Sequence, residues 1–527
     1  MNAQLVILDF GSQYTQLIAR TVRELGVYCE IIPGTASSEK VLRSNPKAII
    51  LSGGAASVIG DDALRTHPAV MTSGLPLFGI CYGMQLLADE FGGKVGGWAR
   101  DAVSGSHGDA GGDGLREFGP AVVTIEKNVG PFSALAPNTD IHVWMSHGDK
   151  VTELPPGFVS VAKSNGSPIA AFANTERNIY GVQFHPEVHH TPRGKEILAS
   201  FLFDCAKLER DWDSEGFIAQ TIEGIKKTVP TGNVICGLSG GVDSTVAAVL
   251  VSRAIGDRLH CIFVDNGVLR LNETTFVMEN LTKLGLNVTL VDASKRFLDE
   301  LAGVTDPETK RKIIGRVFIE VFEEEAHRVE GAQYLVQGTL YPDVIESVSV
   351  VGKSAVIKSH HNVGGLIENM KLKLIEPLRE LFKDEVRRVG TELGIPSELI
   401  LRQPFPGPGL GIRCLGEVTE ERLKKLRIAD RIVTEEINRA GLNATLWQSF
   451  AVLLPVRSVG VMGDGRTYDE TIAIRAVTSR DGMTADWYLL PEDVLRRMSS
   501  RIVNETDGVN RVVLDVTSKP PSTIEWE

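Results

Sequence analysis

The chain has 527 residues, which is too long for one hydrophobic core and predicts about three domains. Its formal net charge of −12 argues against a protein that binds nucleic acid or a membrane surface, because both attract basic patches, whereas small anionic substrates remain possible. A globular composition with 43% hydrophobic residues, and six cysteines without a C-x-x-C pair, favour a reducing cytoplasmic setting over a disulfide scaffold or a zinc site.

The first 200 residues predict strands that alternate with helices. We expect apolar strands over 4–9, 48–51 and 77–80, and a helix over 13–25 from the spacing of its apolar residues. Short apolar strands separated by helices indicate a parallel sheet that is covered on both faces. The N-terminus has neither a basic region nor a cleavage site, and no apolar run is long enough for a membrane span, so we expect no signal peptide and no membrane segment.

A second strand-rich region follows a charged helical stretch over 203–213, which indicates a domain boundary. Its apolar strands are predicted over 233–236, 260–264, 288–291 and 334–337. The stretch RQPFPGPGLGIR (402–413) ends this region, because its closely spaced prolines fit neither a helix nor a central strand.

The remaining residues predict a small α+β unit, with a charged helix over 419–440 and strands over 450–455, 471–477 and 511–516. We therefore expect domains over 1–203, 204–402 and 403–527, the first two being α/β domains with parallel sheets. One low-complexity segment, 101–114, is polar and rich in glycine, which predicts a flexible surface loop.

Cys81 lies in the stretch GICYGMQ, between a predicted strand and a predicted helix. Gly79 and Gly83 flank it in the G-x-C-x-G pattern of a nucleophile elbow, and the positive end of the helix dipole favours the reactive thiolate. In YGVQFHPEV, strand alternation places His185 and Glu187 on one face, so that Glu187 could orient the imidazole. The pattern supplies a nucleophile, a base and an orienting group. A buried structural cysteine and a charged strand end are the alternative interpretation.

Three motifs together resemble the class I glutamine amidotransferases: SGG (52–54), GICYGMQ and GVQFHPEV. The resemblance implies hydrolysis of glutamine through a γ-glutamyl thioester, with delivery of ammonia to a second site. It makes Cys81 the nucleophile, His185 the base and Glu187 its partner. It also implies that backbone N–H groups of Gly54 and Tyr82 stabilise the oxyanion.

The same resemblance implies that Gln85 helps to hold the substrate glutamine. The sequence departs from the family at two places. Ala55 follows the Gly-Gly turn where the family usually has proline, and the glycine-rich segment 101–114 is an apparent insertion. Residues within that segment cannot be matched to family positions.

A second motif, SGGVDS (239–244), follows the apolar strand VICGL and precedes an apolar helix. A glycine-rich turn at a helix N-terminus presents backbone N–H groups to an anion. The Lys-Ser/Thr ending of a Walker loop is missing. Asp265 and Asn266 end the next strand, at the edge where open sheets bind ligands.

The motif resembles the pyrophosphate-binding loop of the ATP pyrophosphatases, which cleave ATP between its α and β phosphates. That resemblance implies magnesium near Asp243. It implies an ATP site formed by Ser239, Gly240, Gly241, Val242, Asp243, Ser244, Thr245, Asp265 and Lys358. Lys383 is a further candidate for phosphate charge and Asp343 for the magnesium or adenylation site.

Across nearly its whole length the chain resembles the glutamine-hydrolysing GMP synthetase family, on motifs that include GTLYPDVIES, PFPGPGLGIR and the terminal KPPSTIEWE. The resemblance implies a carbon–nitrogen ligase that converts XMP, ATP, glutamine and water into GMP, AMP, pyrophosphate and glutamate, with Mg²⁺. It implies a homodimer formed by the C-terminal domain, which also helps to bind XMP. The predicted XMP-binding residues are Arg311, Lys519, Ile524 and Glu525.

Three other functions compete with this interpretation. The chain could be a glutamine-dependent synthetase for a different acid, although the terminal motif and the proline-rich loop argue against it. A tRNA-thiolating pyrophosphatase is disfavoured by the acidic charge and by Cys236 and Cys261, which lie in apolar strands. A nucleotide sensor with decayed sites is disfavoured by the intact cysteine motif and the intact SGGVDS loop.

Overall fold

The computed structural model describes residues 3–96, 117–348, 372–462, 465–479, 482 and 484–527. Two compact units form, the first ending at Asp213 and the second beginning at Ser214. The predicted glycine-rich loop over 101–114 lies outside the described residues.

The first unit is built on a nine-stranded sheet in the order β2-β1-β3-β4-β11-β10-β9-β6-β7. Its first four strand pairings, from β2 to β11, are parallel, and the next four, from β11 to β7, are antiparallel. The strands of this unit are β1 (Leu5–Phe10), β2 (Cys29–Pro33), β3 (Ala48–Gly54), β4 (Leu77–Ile80), β5 (Lys94–Gly96), β6 (Glu117–Ile125), β7 (Asp140–His147), β8 (Lys150–Glu153), β9 (Val159–Ser164), β10 (Ala171–Asn174) and β11 (Ile179–Val182).

Helices of the first unit follow the parallel strands and bury their apolar sides against them. Ile18 and Val22 of the first helix are fully buried, as are Met84 and Leu87 of the fourth. The helices are α1 (Thr15–Glu24), α2 (Ser38–Leu42), α3 (Pro68–Met71), α4 (Tyr82–Glu90) and α5 (Gly194–Ser200), and a π-helical turn (Phe201–Cys205) continues α5.

The second unit begins with a five-stranded sheet in the order β14-β13-β12-β15-β16, in which all pairings are parallel. Its strands are β12 (Asn233–Leu238), β13 (Leu259–Asp265), β14 (Val288–Asp292), β15 (Ala332–Val336) and β16 (Lys373–Ile375). Its helices are α6 (Ser214–Thr228), α7 (Val242–Ile255), α8 (Glu273–Lys283), α9 (Ser294–Leu301), α10 (Pro307–Arg328), α11 (Tyr341–Val348), α12 (Lys383–Glu392) and α13 (Ser397–Ile400). The strand order reverses between β12 and β15, and a doubly wound sheet binds its ligand at the carboxyl ends of the strands at such a point.

The C-terminal part of the second unit pairs two helices with a small sheet. Its elements are α14 (Glu420–Arg439), β17 (Gln448–Met462), β18 (Gly465–Thr478), β19 (Asp486–Trp487), α15 (Glu492–Glu505) and β20 (Val509–Leu514). Strands β17, β18 and β19 are antiparallel neighbours, and β20 lies parallel to β18. One continuous buried cluster joins this sheet to the five-stranded sheet, from Ile235 on β12 to Ile474 on β18.

The predicted fold class is confirmed: two α/β regions precede a small α+β region. The strand predicted over 77–80 coincides with β4. The other predicted strands match observed strands to within a few residues, namely β1, β3, β12, β13, β14, β15, β17, β18 and β20. The parallel sheet expected for the first region is found from β2 to β11, whereas the half from β11 to β7 is antiparallel. Its strands pair across long separations, and local periodicity does not report the direction of a neighbour.

Candidate functional site

Cys81 occupies the sharp turn between β4 and α4. Its backbone has φ of 52° and ψ of −105°, a conformation that residues other than glycine rarely adopt. The flanking glycines allow the turn, because a Cβ on Gly79 would lie 2.5 Å from the carbonyl oxygen of Gly83. A Cβ on Gly83 would lie 2.3 Å from the carbonyl oxygen of Leu51. The strained elbow therefore holds the thiol at the N-terminus of α4, as the motif predicts.

His185 and Glu187 lie side by side, with 2.6 Å between His185 Nδ1 and Glu187 Oε1. They do not share a strand face, so the predicted strand over both residues is wrong: β11 ends at Val182 and the two residues lie in the following turn. Pro186 separates them and has no N–H to continue a strand ladder. The backbone N–H of His185 donates to the backbone carbonyl of Trp144 at 3.0 Å instead.

Burial and charge act in opposite directions on His185. Burial alone lowers the pKa of His185, but the negative charge of Glu187 and the hydrogen bond to Cys81 outweigh it, so the pKa lies well above its ordinary value. Glu187 Oε2 has no hydrogen-bond partner among the described residues, so the carboxylate acts on the imidazole through one oxygen. Tyr14 packs edge-on against the His185 ring, with 4.8 Å between centroids. An imidazolium beside the thiol is the arrangement that activates a cysteine nucleophile.

Gly54 and Tyr82, the predicted oxyanion residues, are adjacent. A Cβ on Gly54 would lie 3.1 Å from Tyr82 Cγ and 2.9 Å from the Phe10 carbonyl oxygen, so only glycine allows this approach. The Tyr82 hydroxyl donates to the Leu64 carbonyl at 2.7 Å, and burial raises the pKa of Tyr82. The Tyr82 hydroxyl is thus engaged by Leu64, and the part of Tyr82 that lies beside Cys81 is its backbone.

Two amides next to Cys81 form a chain that includes one residue the sequence analysis missed. Gln85 donates through Nε2 to the Asp149 carbonyl at 2.7 Å and to Gln183 Oε1 at 3.4 Å. Gln183 donates through Nε2 to Cys81 Sγ at 3.7 Å, and the Ser146 carbonyl lies 3.7 Å from the same sulfur. Gln183 lies within a motif that was recognised, and a polar residue at the end of a buried strand was the available signal.

The SGGVDS loop links β12 to α7 and is held by its own hydroxyls. Ser239 Oγ lies 3.1 Å from Ser244 Oγ and accepts from the Gly241 N–H at 3.3 Å. Thr245 donates to the Gly241 carbonyl at 2.9 Å, and Val242 begins the helix. Gly240 has φ of 72°, where glycine is favoured. The loop thus leads into the N-terminus of a 14-residue helix, and the N–H groups of a helix N-terminus are suited to bind an anion.

Asp243 extends from the first turn of α7 and pairs through Oδ2 with Lys383 of α12. Its other oxygen, Oδ1, has no hydrogen-bond partner within the described part of the chain, and neither has the buried hydroxyl of Thr339. Gly338, which precedes Thr339, lies close to Asp243, since a Cβ on Gly338 would lie 3.5 Å from the Asp243 carbonyl carbon. An unpaired carboxylate oxygen beside a phosphate loop suits Mg²⁺, which binds proteins through one or two carboxylates and completes its shell with phosphates and water.

Asp265 and Asn266 shape the next loop with their side chains. Asp265 accepts from the Gly267 N–H at 2.9 Å and from the Thr274 hydroxyl at 2.7 Å. Asn266 accepts from the Val268 N–H at 3.1 Å. Asp265 ends β13 and Asn266 follows it, next to the β12 end of the sheet from which the SGGVDS loop leaves.

Asp343 accepts from the Leu340 N–H at 3.0 Å, at the start of α11, which is a capping contact. Lys358 lies outside the described residues.

The residues predicted to bind XMP have separate protein partners. Arg311 donates to a terminal oxygen of Glu527, and the neighbouring Lys310, fully buried, contacts the Glu527 side chain at 2.5 Å. Lys519 Nζ donates to the Gly482 carbonyl at 2.8 Å.

Glu525 and Ile524 anchor the tail. Glu525 forms a two-pronged ion pair with the fully buried Arg413, at 3.0 and 2.8 Å, and accepts from Gln448 at 3.1 Å. Ile524 packs in a small apolar cluster with Phe450. Sequence analysis missed Arg413 and Gln448, although Arg413 ends the proline-rich motif.

Other candidate sites are few. Among the described residues no group of three or more His, Cys, Asp or Glu side chains is placed to hold a metal, and no helix is long and apolar enough to cross a membrane. An open cavity of about 600 Å³ between β14, α9 and α10 is lined mainly by charged side chains and contains none of the predicted site residues.

Three family models match separate parts of the chain. The model for "Glutamine amidotransferase class-I" matches residues 6–205, that for "NAD synthase" matches 215–306, and that for "GMP synthase C terminal domain" matches 435–526. The first contains the Cys81 site and the second contains the SGGVDS loop.

Three full-length relatives share one name. A protein of Chlorobium chlorochromatii (strain CaD3) named GMP synthase (glutamine-hydrolyzing) is 57% identical over 527 residues, which is 99% of each chain. Proteins with this name from Chlorobium luteolum and Aquifex aeolicus are 56% and 55% identical, again over 99% of each chain. The similarity therefore spans both units and all three matched regions.

Proposed function

Because the chain belongs to the glutamine-hydrolysing GMP synthase family, we propose that it makes GMP from XMP, ATP, glutamine and water, releasing AMP, pyrophosphate and glutamate. The observation that carries the proposal is the buried cluster of Cys81, His185 and Glu187, in a chain that also has the SGGVDS loop. The first site produces ammonia and the second consumes it.

In the glutamine half-reaction, the Cys81 thiolate attacks the carboxamide carbon of glutamine. The imidazolium of His185 gives its proton to the departing nitrogen, which leaves as ammonia, and a γ-glutamyl thioester remains. Water, deprotonated by the now neutral His185, attacks the thioester to release glutamate and restore the thiolate. Backbone N–H groups of Gly54 and Tyr82 stabilise the oxyanion of each tetrahedral intermediate, and Glu187 holds the imidazole in place.

In the synthetase half-reaction, the C2 oxygen of XMP attacks the α-phosphorus of ATP and pyrophosphate leaves. The product is an adenylated XMP whose C2 oxygen has become a good leaving group. Ammonia then attacks C2, loses a proton, and displaces AMP to give GMP. The SGGVDS backbone and the Ser239 and Ser244 hydroxyls bind the pyrophosphate portion, with Lys383 and Lys358 as added positive charge.

We assign the magnesium that accompanies ATP to Asp243. The supporting observation is the buried, unpaired Oδ1 of this partly exposed side chain, and a hard carboxylate oxygen suits the ion. Bound there with the nucleotide, Mg²⁺ would neutralise phosphate charge.

For XMP we propose Arg311, Lys519, Ile524 and Glu525. Lys519 and Arg311 would supply positive charge to the phosphate, exchanging their present oxygen partners on Gly482 and Glu527 for it. Glu525, fixed by Arg413, would accept a hydrogen bond from the ribose or purine.

We further propose a homodimer formed through the C-terminal region. Val459 and Tyr468 are paired across β17 and β18 and are 54% and 59% exposed, and Val461 two residues along the same strand is 76% exposed. An apolar strip of this kind on a sheet face favours burial against a second copy. The domain boundaries at 203/204 and 402/403, and a cytoplasmic location, complete the proposal; the six free cysteines are compatible with that location.

The test separates the two sites. Cys81→Ala should abolish glutamine-dependent GMP formation but retain GMP formation from added ammonium salt, because the substitution removes only the ammonia source. Wild-type protein with both nitrogen sources is the control. Failure of ammonium to restore the mutant would contradict the two-site assignment.

A second assay tests the acceptor. Pyrophosphate release should require XMP and should not occur with IMP or nicotinate adenine dinucleotide. Nicotinate adenine dinucleotide is included as a candidate substrate because the NAD synthase model matches residues 215–306. If pyrophosphate were released with nicotinate adenine dinucleotide but not with XMP, the proposal that XMP is the substrate would be wrong.

A further inference from the structure

The side chain of Gln183 is fully buried, yet it faces the reactive sulfur of Cys81. Strand register explains the contact. β4 and β11 pair in parallel with Ile80 opposite Val182, so the next residue of each strand leaves the sheet beside the other. The Cys81 N–H also donates to the Val182 carbonyl at 2.8 Å, which locks this register at the elbow.

The orientation of the Gln183 amide is set by its neighbours. The Asp149 carbonyl can only accept, so it holds Gln85 with Nε2 toward it at 2.7 Å. The same Nε2 lies 3.4 Å from Gln183 Oε1, which accepts from it. The Gln183 NH₂ group is thereby directed to Cys81 Sγ at 3.7 Å. A chain of amides thus ends in an N–H aimed at the sulfur, and neighbouring hydrogen bonds polarise one another.

Two groups contact the Cys81 sulfur, the Ser146 backbone carbonyl and the Gln183 side-chain amide, and they favour different protonation states of the cysteine. The Ser146 carbonyl, 3.7 Å away, can accept only from the neutral thiol. The Gln183 N–H can donate only to sulfur lone pairs and binds a thiolate more strongly than a thiol. His185 also faces the sulfur, and its ring contacts Glu187 and Tyr14. On the Gln85 side, His147 contacts the Asp149 carbonyl and pairs with Glu117.

We propose that Gln183 is a positioning residue that holds the Cys81 side chain and stabilises its thiolate for attack on glutamine. The inference rests on the proposed glutamine hydrolysis. The role of Gln183 differs from that of His185, because an amide has no proton to transfer and supplies a fixed dipole throughout the reaction.

The test compares two variants that preserve the shape of the side chain. Gln183→Met removes the donor, and Gln183→Glu replaces it with a negative acceptor. We measure the rate of Cys81 alkylation by iodoacetamide against pH, with peptide mass spectrometry to distinguish Cys81 from the other five cysteines. We also measure glutamine hydrolysis, ammonium-dependent GMP formation and thermal unfolding.

Gln183→Met should slow both alkylation and glutamine hydrolysis about tenfold near neutral pH, the order expected from one hydrogen bond to a charged group. Its alkylation profile should move to higher pH, and Gln183→Glu should move it further, while ammonium-dependent synthesis stays at the wild-type rate. The control is Gln4→Met, which removes an amide bound to the Glu209 carbonyl at 3.0 Å and should change none of these quantities.

An unmoved alkylation profile in both variants would overturn the inference, even if hydrolysis fell together with thermal stability, because that result indicates packing alone. Unchanged hydrolysis would overturn it as well. If wild-type protein did not hydrolyse glutamine, the proposed function would fail, and the alkylation profiles would still decide whether Gln183 stabilises the thiolate.

Discussion

Replacing Glu187 with Gln removes one negative charge from the cysteine site and leaves its shape nearly unchanged. Glu187 Oε1 lies 2.6 Å from His185 Nδ1, and both side chains are almost completely buried. The substitution should therefore lower the rate of glutamine hydrolysis with little effect on ammonium-dependent GMP formation, which does not use this site.

The magnitude follows from the character of the lost contact. A hydrogen bond between charged groups contributes about 1.5–3 kcal/mol, which corresponds to roughly a 10- to 150-fold change in rate. Burial of both groups means that solvent screening does not reduce this figure. The neutral amide can still accept from Nδ1–H, so we expect a loss within this range and not complete inactivation.

The dependence on pH gives a second, independent measure. The pKa of His185 is raised in the folded protein, after the lowering effect of burial is outweighed by Glu187 and Cys81. Its contribution to stability is therefore complete below the unfolded pKa and is lost as pH rises through the folded pKa. The wild-type protein should be more stable than Glu187→Gln at pH 6, and the difference should diminish as the pH rises above neutrality.

The assay follows glutamate release between pH 6 and 10, with thermal unfolding recorded in the same buffers. Glu187→Asp provides a control, because it keeps the charge and withdraws it from the imidazole. A Glu187→Gln rate within twofold of wild type, with the same pH profile, would refute the reasoning that Glu187 charges the imidazole.

Three further perturbations test the other sites. Asp243→Asn should abolish GMP formation with either nitrogen source while Cys81 alkylates normally, and full ATP-dependent activity would contradict the magnesium assignment. Lys519→Ala, which loses its contact to the Gly482 carbonyl at 2.8 Å, should raise the KM for XMP about 30-fold (~2 kcal/mol) and leave the KM for glutamine unchanged; equal XMP affinity would remove the tail from the nucleotide site. Tyr468→Asp on the exposed face of β18 should give monomers in analytical ultracentrifugation, and an unchanged dimer would place the interface elsewhere.

Local sequence determined the elements that build both sites. Four apolar residues ending at a G-x-C-x-G turn predicted β4, Cys81 and α4 in their observed positions, because steric demands within a few residues decide such an elbow. The SGGVDS turn before an apolar helix was predictable for the same reason. The family resemblance added the roles of these residues, which periodicity does not supply.

Tertiary structure decided how distant residues meet. Gln183 reaches Cys81 across 102 positions because two parallel strands share one register, and no local pattern encodes that register. The same holds for Arg413 and Glu525, 112 positions apart, whose buried pair anchors the tail. The His185–Glu187 pair was expected on a strand, but β11 ends at Val182 and the turn that follows brings the two side chains together. Sequence thus determined which chemical groups each element carries, while strand pairing and burial determined which of them act on one another.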